Sequence, residues 1–387
     1  MEVDFIGLFD PLRPFSKRGS PQSEKNLNWK SGNEKGGSLM IPELNTNKYD
    51  REYCALVTPY KPDSLEVDYD AFRKLVRYFT TDADFLKVGG ALIVNPEAGE
   101  IFYLTPEERK GLIKVVLEER PAGMPIFAGC YGVRRDEIVD SAVQAKSLGV
   151  DGIFVLPPAG TMEVTTSLDG SKNPEVWTDH VRVIAEATQL PLIVHPSHPH
   201  TQAWGRALPG ESVKMVLEQV PSVVGWKMIY GDAGAHFRVA RLIRSLPRHV
   251  GILNAPFLCQ HTAVICNLSD GRVQGAYNYQ KEGLVEHTLA WNSGDMNKVQ
   301  RVWSTRVMPI SDYITSDKSR QHIRYKVATW IRGLVPHPFM RPPMPPTRRE
   351  EVDSLFKILK NAGYPCIDQA EIDETFSRKD KVLRSIG

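Results

Sequence analysis

The run Val223-Val224-Gly225-Trp226-Lys227-Met228 carries one amine in an otherwise apolar stretch. A strand packed on both faces is apolar throughout, so a lysine inside one has to reach a mouth or a cavity. Desolvation disfavours its ammonium form, lowers its pKa and leaves a nucleophilic amine. The chemistry open to such an amine is a Schiff base with a carbonyl carbon. The other reading of the same pattern is a strand-end lysine whose head extends to water. Histidines form a second set. His195, His198 and His200 have metal-like spacing, and His180 precedes them. A divalent ion held there would polarise a carbonyl directly. Pro196 and Pro199 interrupt the run and no acidic residue completes it, so the plainer reading is a loop that shapes a mouth.

These residues have to be positioned by something, and the chain punctuates regularly. Short apolar runs predict strands at Cys54–Thr58, Gly90–Asn95, Pro125–Gly129, Gly152–Leu156, Leu190–His195, Val223–Met228, Val250–Asn254 and Val273–Tyr277. Helical spacing follows each, as in Asp68–Phe79, where Phe72, Leu75, Val76 and Phe79 share a face. Thr105 is placed to cap a helix whose first turn holds Glu107 and Glu108. Alternation of this kind predicts an α/β fold, a (β/α)8 TIM barrel over 51–298. A doubly wound sheet is the rival, but no G-x-G-x-x-G follows the first strand. Residues 1–50 read as a polar extension, and 299–387 as a helical region packed on the barrel. In such barrels the chemistry lies where strands end and loops begin. The polar residues there are Thr58, Asn95, Glu97, Glu100, Tyr131, His195, Lys227, Tyr230, Asn254 and Asn278.

Composition excludes several classes. A net charge of +2 over 387 residues leaves no nucleic-acid footprint. Five scattered cysteines without a CxxC argue against a disulfide framework and a thiolate zinc site. No run approaches the ~18 apolar residues of a membrane span. The first residues, with Glu2 and Asp4, lack the basic start of a secretory signal, so a cytoplasmic location is expected.

Several segments together resemble the dihydrodipicolinate synthase and N-acetylneuraminate lyase family, Schiff-base aldolases and dehydratases on a (β/α)8 barrel. Ala55-Leu56-Val57-Thr58-Pro59-Tyr60 is similar to its first strand. Ala98-Gly99-Glu100 and Leu104-Thr105-Pro106-Glu107-Glu108-Arg109 are similar to its Gly-Thr-Thr-Gly-Glu segment and the helix start behind it. Val224-Gly225-Trp226-Lys227 with Gly231-Asp232 resembles the imine-lysine motif, and Arg341-Pro342-Pro343-Met344-Pro345 the turn before the last helix. The resemblance spans roughly 53–365 and implies Lys227 as the imine residue.

The departures are specific. Glu97 and Ala98 replace the hydroxyl pair that holds a keto-acid carboxylate, and an inward Glu97 would repel that carboxylate. His195 stands where the proton-shuttling tyrosine is expected, and imidazole suits acid–base work near neutrality. A second family tyrosine, which reaches across a subunit contact, falls near Pro158 and is missing. The resemblance therefore implies a divergent lyase that makes or breaks a carbon–carbon bond in a pyruvate-like 2-keto acid or related carbonyl substrate. Lys227, His195 and Thr58 are the expected catalytic residues, Thr58 by hydrogen bonding to the proton shuttle. Substrate contacts are assigned to Glu97, Ala98, Gly99, His198, Tyr230, Asn254 and Asn278, with the two asparagines either orienting hydroxyls or tying down loops. No metal or other cofactor is expected beyond the covalent imine through Lys227. A small carbonyl compound is the expected partner, and self-association as a homodimer or homotetramer is implied. Three alternatives stay open: a keto-sugar-acid dehydratase or hydratase on the same imine, a metal-dependent aldolase, and a non-catalytic binding barrel.

Overall fold

The computed structural model describes residues 46–159, 167–255 and 257–385. Most of the expected extension at 1–50, and the middle of the long loop expected at 159–173, lie outside the described residues. Eight parallel strands close into a barrel: β1 (Glu52–Ala55), β2 (Gly90–Val94), β3 (Ile126–Cys130), β4 (Gly152–Val155), β5 (Leu192–Val194), β8 (Val223–Met228), β9 (Gly251–Asn254) and β10 (Gly271–Gln274). Each pairs with its neighbour in the order expected of a (β/α)8 barrel, and β10 returns to β1. Alternation sets the two faces. Tyr53, Ile93, Phe127, Phe154, Ile193 and Leu253 fill the interior, and Cys54, Leu92, Ile126, Ile153, Trp226 and Ile252 pack outward on the helices.

The helices begin where their capping residues stand. Thr105 closes a capping box with Glu108 at the start of Pro106–Glu119. Asp68 and Asp232 accept from Ala71 and Ala235 at the starts of Tyr69–Thr80 and Ala233–Arg244. Strand boundaries differ from the sequence expectation most at the first strand, expected at Cys54–Thr58 and observed at Glu52–Ala55, and at the last. The last strand is Gly271–Gln274, and Tyr277 already opens the helix Tyr277–Ser293. Gly275 follows the strand at a point where no side chain fits: a Cβ would lie 2.5 Å from the Tyr325 ring. Between β5 and β8 the chain adds an unforeseen antiparallel hairpin, β6 (Ser197–Thr201) and β7 (Gly205–Ala207).

The described residues pack as one compact unit, with the C-terminal helices part of it. The helix Gln321–Ile331 is anchored at its start and at its middle. Arg320 and Arg324 grip Glu351 of the helix Arg349–Asn361 at 2.5 and 3.1 Å. Lys326 Nζ pairs with Glu100 Oε1 at 2.7 Å, both side chains about 1% exposed, and lies 3.7 Å above the Tyr60 ring. This pair fixes a C-terminal helix against the turn that follows β2.

Candidate active site

Lys227 is the penultimate residue of β8 and sits near the strand's C-terminal end. Its neighbour Trp226 packs outward in the helix-facing core, as expected of alternating side chains. The Lys227 ammonium faces inward, 5.5 Å above the Phe154 ring of β4. No carboxylate pairs with it among the described residues. Burial lowers its pKa to about 8, and the charge of Glu97 only partly offsets this. That shift is worth roughly 3 kcal/mol, and it puts an appreciable neutral fraction within reach of physiological pH.

His195 follows β5, its N–H bonded to the Val155 carbonyl at 2.8 Å. Its ring stacks on Phe154 at 5.7 Å and 24°. One phenyl ring thus underlies both the amine and the imidazole. His195 Nδ1 stands 3.0 Å from Glu97 Oε2, near enough for charge pairing but off the line of a good hydrogen bond. Burial and the Lys227 charge lower the His195 pKa, while Glu97 opposes them. Burial by itself would raise Glu97, but the positive potential of His195, Lys227 and His322 outweighs it and holds the carboxyl at about 2. Glu97 is therefore an ionised carboxylate that points inward.

The turn Glu97–Gly99 that carries this carboxylate is a short 3-10 helix. Gly99 N–H closes it on the Pro96 carbonyl at 3.0 Å. Gly99 is therefore a structural member of the turn rather than the expected amide donor, and a Cβ there would lie 2.7 Å from the Leu56 carbonyl. Among the described residues, the amides of Glu97 and Ala98 find no hydrogen-bond partner. They are the donors left for an anion.

Other expected site residues are engaged elsewhere. Thr58 Oγ1 donates to the Gly99 carbonyl at 2.6 Å, so it fastens the turn rather than bonding to His195. His198 uses both ring nitrogens, Nε2 accepting from Gly170 N–H at 2.9 Å and Nδ1 lying 2.7 Å from the Pro199 carbonyl. It ties the hairpin to the loop after β4, and it is free neither for substrate nor for a metal. Tyr230 Oη donates to the Leu208 carbonyl at 2.8 Å within the core. Asn278 donates to the Ala55 and Gly275 carbonyls and accepts from Val57 N–H. Its amide is saturated, so it ties down loops. Asn254 donates only weakly, at 3.5 Å to Leu268, and its buried Oδ1 has no partner. His180 bonds the Leu156 carbonyl at 2.9 Å. The histidines therefore do not converge on one ion.

Among the described residues, one acid–imidazole group is compact enough for a metal: Asp50, His249 and Asp270. All three precede strands, at the barrel end remote from Lys227, and both Asp270 oxygens are held by Arg244 at 2.7 Å.

Three site neighbours were not expected from the sequence. Phe154 reads there as ordinary barrel core. His322 and Tyr325 come from the helix Gln321–Ile331, which packs on the Glu97–Gly99 turn. His322 is half-buried; desolvation lowers its pKa to about 4, and Glu97, Lys227 and His195 lie within its electrostatic reach. The Tyr325 ring lies 5.7 Å from His322, and its hydroxyl accepts from Gln321 Nε2 at 2.5 Å. The only sequence signal was polar residues at 322, 325 and 326 on one face of a largely apolar helix.

Comparison with known proteins agrees with the barrel. The Dihydrodipicolinate synthetase family matches residues 48–362. Among curated relatives, the 4-hydroxy-tetrahydrodipicolinate synthase of Thermotoga neapolitana is 24% identical over 311 residues, 80% of this chain and 97% of that protein. The enzyme of the same name from Methanopyrus kandleri is 25% identical over 312 residues, 80% of this chain and 95% of that protein. Among solved structures, dihydrodipicolinate synthase from Aquifex aeolicus aligns with a TM-score of 0.67 at 20% identity, covering 82% of this chain and 99% of that one. Proteus mirabilis N-acetylneuraminate lyase aligns with a TM-score of 0.65 at 15% identity, covering 81% and 98%. At these identities the structural likenesses establish the fold.

Proposed function

We propose, from the premise that this chain belongs to the dihydrodipicolinate synthetase family, that it is a Schiff-base lyase whose amine is Lys227 and whose proton carrier is His195 paired with Glu97. The observation that carries the reading is a half-buried lysine with a pKa of about 8 and, among the described residues, no acidic partner in contact, placed beside an imidazole–carboxylate pair. A desolvated amine of this kind is costly to the fold and is explained by covalent chemistry.

The neutral Lys227 Nζ adds to the ketone carbon of a 2-keto acid, and the carbinolamine loses water to give a protonated imine. The imine is an electron sink. The bond between C3 and C4 breaks, its electron pair enters the enamine, and His195 takes the C4 hydroxyl proton as the aldehyde leaves. Glu97 stabilises the imidazolium that results. Protonation at C3 and hydrolysis of the imine release the shorter keto acid and restore the amine. The reverse sequence is aldol condensation. The substrate carboxylate is met by the unengaged amides of Glu97 and Ala98, which take the place of a hydroxyl pair. The Glu97 charge is turned toward the basic groups His195, Lys227 and His322, on its own side of the site.

The reading includes a small carbonyl substrate, a cytoplasmic setting and self-association as a homodimer or homotetramer. No helix among the described residues is long and apolar enough to cross a membrane. Incubation with pyruvate and borohydride, followed by intact mass, tests the chemistry. One reduced pyruvate adduct is expected, mapping to Lys227 by peptide analysis and absent from Lys227→Ala. An adduct that persists in Lys227→Ala, or no adduct in the parent, overturns it.

A further inference from the structure

A cleft of about 330 Å³ opens at the floor of the barrel. Lys48 and Arg51 line it ahead of β1, the turn Pro121–Met124 ahead of β3, and Asp151 ahead of β4. All of them stand at the N-terminal ends of strands, whereas Lys227 lies near the C-terminal end of its own. Barrel chemistry belongs to the C-terminal end, so whatever fills this cleft takes no part in bond cleavage.

The lining is cationic, and its one acid is already engaged. Asp151 Oδ2 accepts from Arg120 Nη1 at 2.6 Å and from the Ile126 amide at 2.9 Å. Arg51 donates through Nε to the Lys48 carbonyl at 2.8 Å, and Lys48 Nζ lies 4.8 Å over the Tyr49 ring. Neither cation meets a carboxylate among the described residues. Asp50, between them in sequence, turns to His249 at 2.9 Å. The Met124 amide closes the turn on the Pro121 carbonyl at 3.2 Å, and among the described residues the amides of Ala122 and Gly123 find no partner. The cleft thus offers a guanidinium, an ammonium and two backbone amides. That donor set matches the oxygens of phosphate or carboxylate groups, and the volume is at the small end of ligand sites.

The cleft also abuts a plug. Tyr49 lines it yet is 4% exposed, with its ring edge-on to Phe127 of β3 at 5.7 Å. The Tyr49 carbonyl accepts from Tyr53 Oη at 3.0 Å. The segment that carries Lys48 and Arg51 therefore also carries the stopper of the barrel interior. An anion held between this segment and the turn before β3 would join the two across the cleft.

We propose that the floor cleft is a binding site for a small, multiply charged oxyanion, phosphate or carboxylate in kind, held by Lys48 and Arg51 together with the Ala122 and Gly123 amides. The site is separate from the lyase centre, and its occupant would fasten the Tyr49 segment to the barrel.

The test titrates the full-length chain with pyrophosphate and with citrate, by calorimetry and by thermal unfolding. One of the two is expected to bind one per chain and to raise the unfolding midpoint with the logarithm of its concentration. Sodium chloride at equal ionic strength should not reproduce that rise. The two probes identify which group the cleft takes. The double variant Lys48→Gln/Arg51→Gln is expected to lose at least about tenfold in affinity. Lys48→Gln alone, whose ammonium touches only the Tyr49 ring, should lose at least about threefold while keeping the circular dichroism of the parent. A parent that binds neither probe, a salt control that gives the same rise, or a well-folded Lys48→Gln chain that binds as tightly as the parent overturns the site. None of these outcomes bears on pyruvate trapping at Lys227.

Discussion

Lys227 and Glu97 act on each other through the same enclosed space, and their coupling has a measurable sign. Burial lowers the lysine to about 8, whereas Glu97 pulls it back up. Below that value only the neutral fraction reacts, so adduct formation should rise about tenfold per pH unit and level off above 8. Replacing Glu97 with Gln removes the term that raises the lysine. The midpoint of the pH–rate curve should then move acidward, below that of the parent. The same variant deprives His195 of its counter-charge, and turnover should fall about 10- to 100-fold even where imine formation is faster. Single-turnover trapping and steady-state cleavage, each measured against pH, separate the two effects. A midpoint that stays put or moves alkaline would show that Glu97 does not face the amine.

At the scale of elements, the turn after β2 and the helix Gln321–Ile331 depend on each other. Glu100 sits in the left-handed region at φ 59°, and both its oxygens are used: Oε1 by Lys326 at 2.7 Å and Oε2 by the Arg341 amide at 2.9 Å. Arg341 also grips Glu108, the N-terminal capping partner of the next helix, at 2.6 and 2.8 Å. Removing one member of a buried ion pair leaves the other without compensation, a loss of about 3–5 kcal/mol. Lys326→Met should therefore lower the unfolding midpoint in urea. It should also slow adduct formation, because the helix that carries His322 and Tyr325 shifts on the Glu97–Gly99 turn. Unfolding and trapping measured on the same variant test this. Full-rate trapping in a clearly destabilised variant would mean the pair supports the fold but not the site.

The same interdependence explains what could be read in the sequence. The eight strands were legible because each is a short apolar run between turns, and a barrel needs little more than that order. Lys227 was legible because one charge breaks such a run. Glu97 and His195 were legible as residues at strand ends, and their pairing needed only adjacent loops. The backbone partners of Thr58, His198, Tyr230 and Asn278 were not legible, for one shared reason. Polar side chains at strand ends also satisfy backbone groups, and sequence does not reveal which carbonyl lies within reach. His322 and Tyr325 were hidden because their approach depends on a helix about a hundred residues from Lys227, held there by the Lys326–Glu100 pair. The hairpin was hidden because its strands hold Pro199, Gly205 and four polar residues from Ser197 to Thr201, against the usual strand pattern.

For the molecule as a whole, acid is the condition that should take fold and site apart together. The carboxylates that fasten the C-terminal helices are held below their ordinary range. Burial opposes this in each case, but Arg341 overrides it at Glu108, Arg320 and Arg324 at Glu351, and Arg332 at Glu282. Glu97 is held at about 2 by the cations around it. A carboxyl whose folded pKa is depressed contributes stability that is complete above its unfolded value, near 4.5, and is lost as pH falls through the folded value. All four groups titrate in that window, and three of them sit where helices beyond the barrel, or the Arg341 segment, join the rest of the chain. Acid should therefore loosen the C-terminal layer over the same interval in which Glu97 loses its charge. Circular dichroism and tryptophan fluorescence against pH should show the loss beginning below about 4.5, reported in part by Trp330 of the helix Gln321–Ile331. Protein returned from that interval to neutral pH should recover pyruvate trapping only as fast as its fluorescence recovers. Trapping that returned at once, while fluorescence still lagged, would mean that the barrel holds a working site without its C-terminal helices, and that His322 and Tyr325 are bystanders.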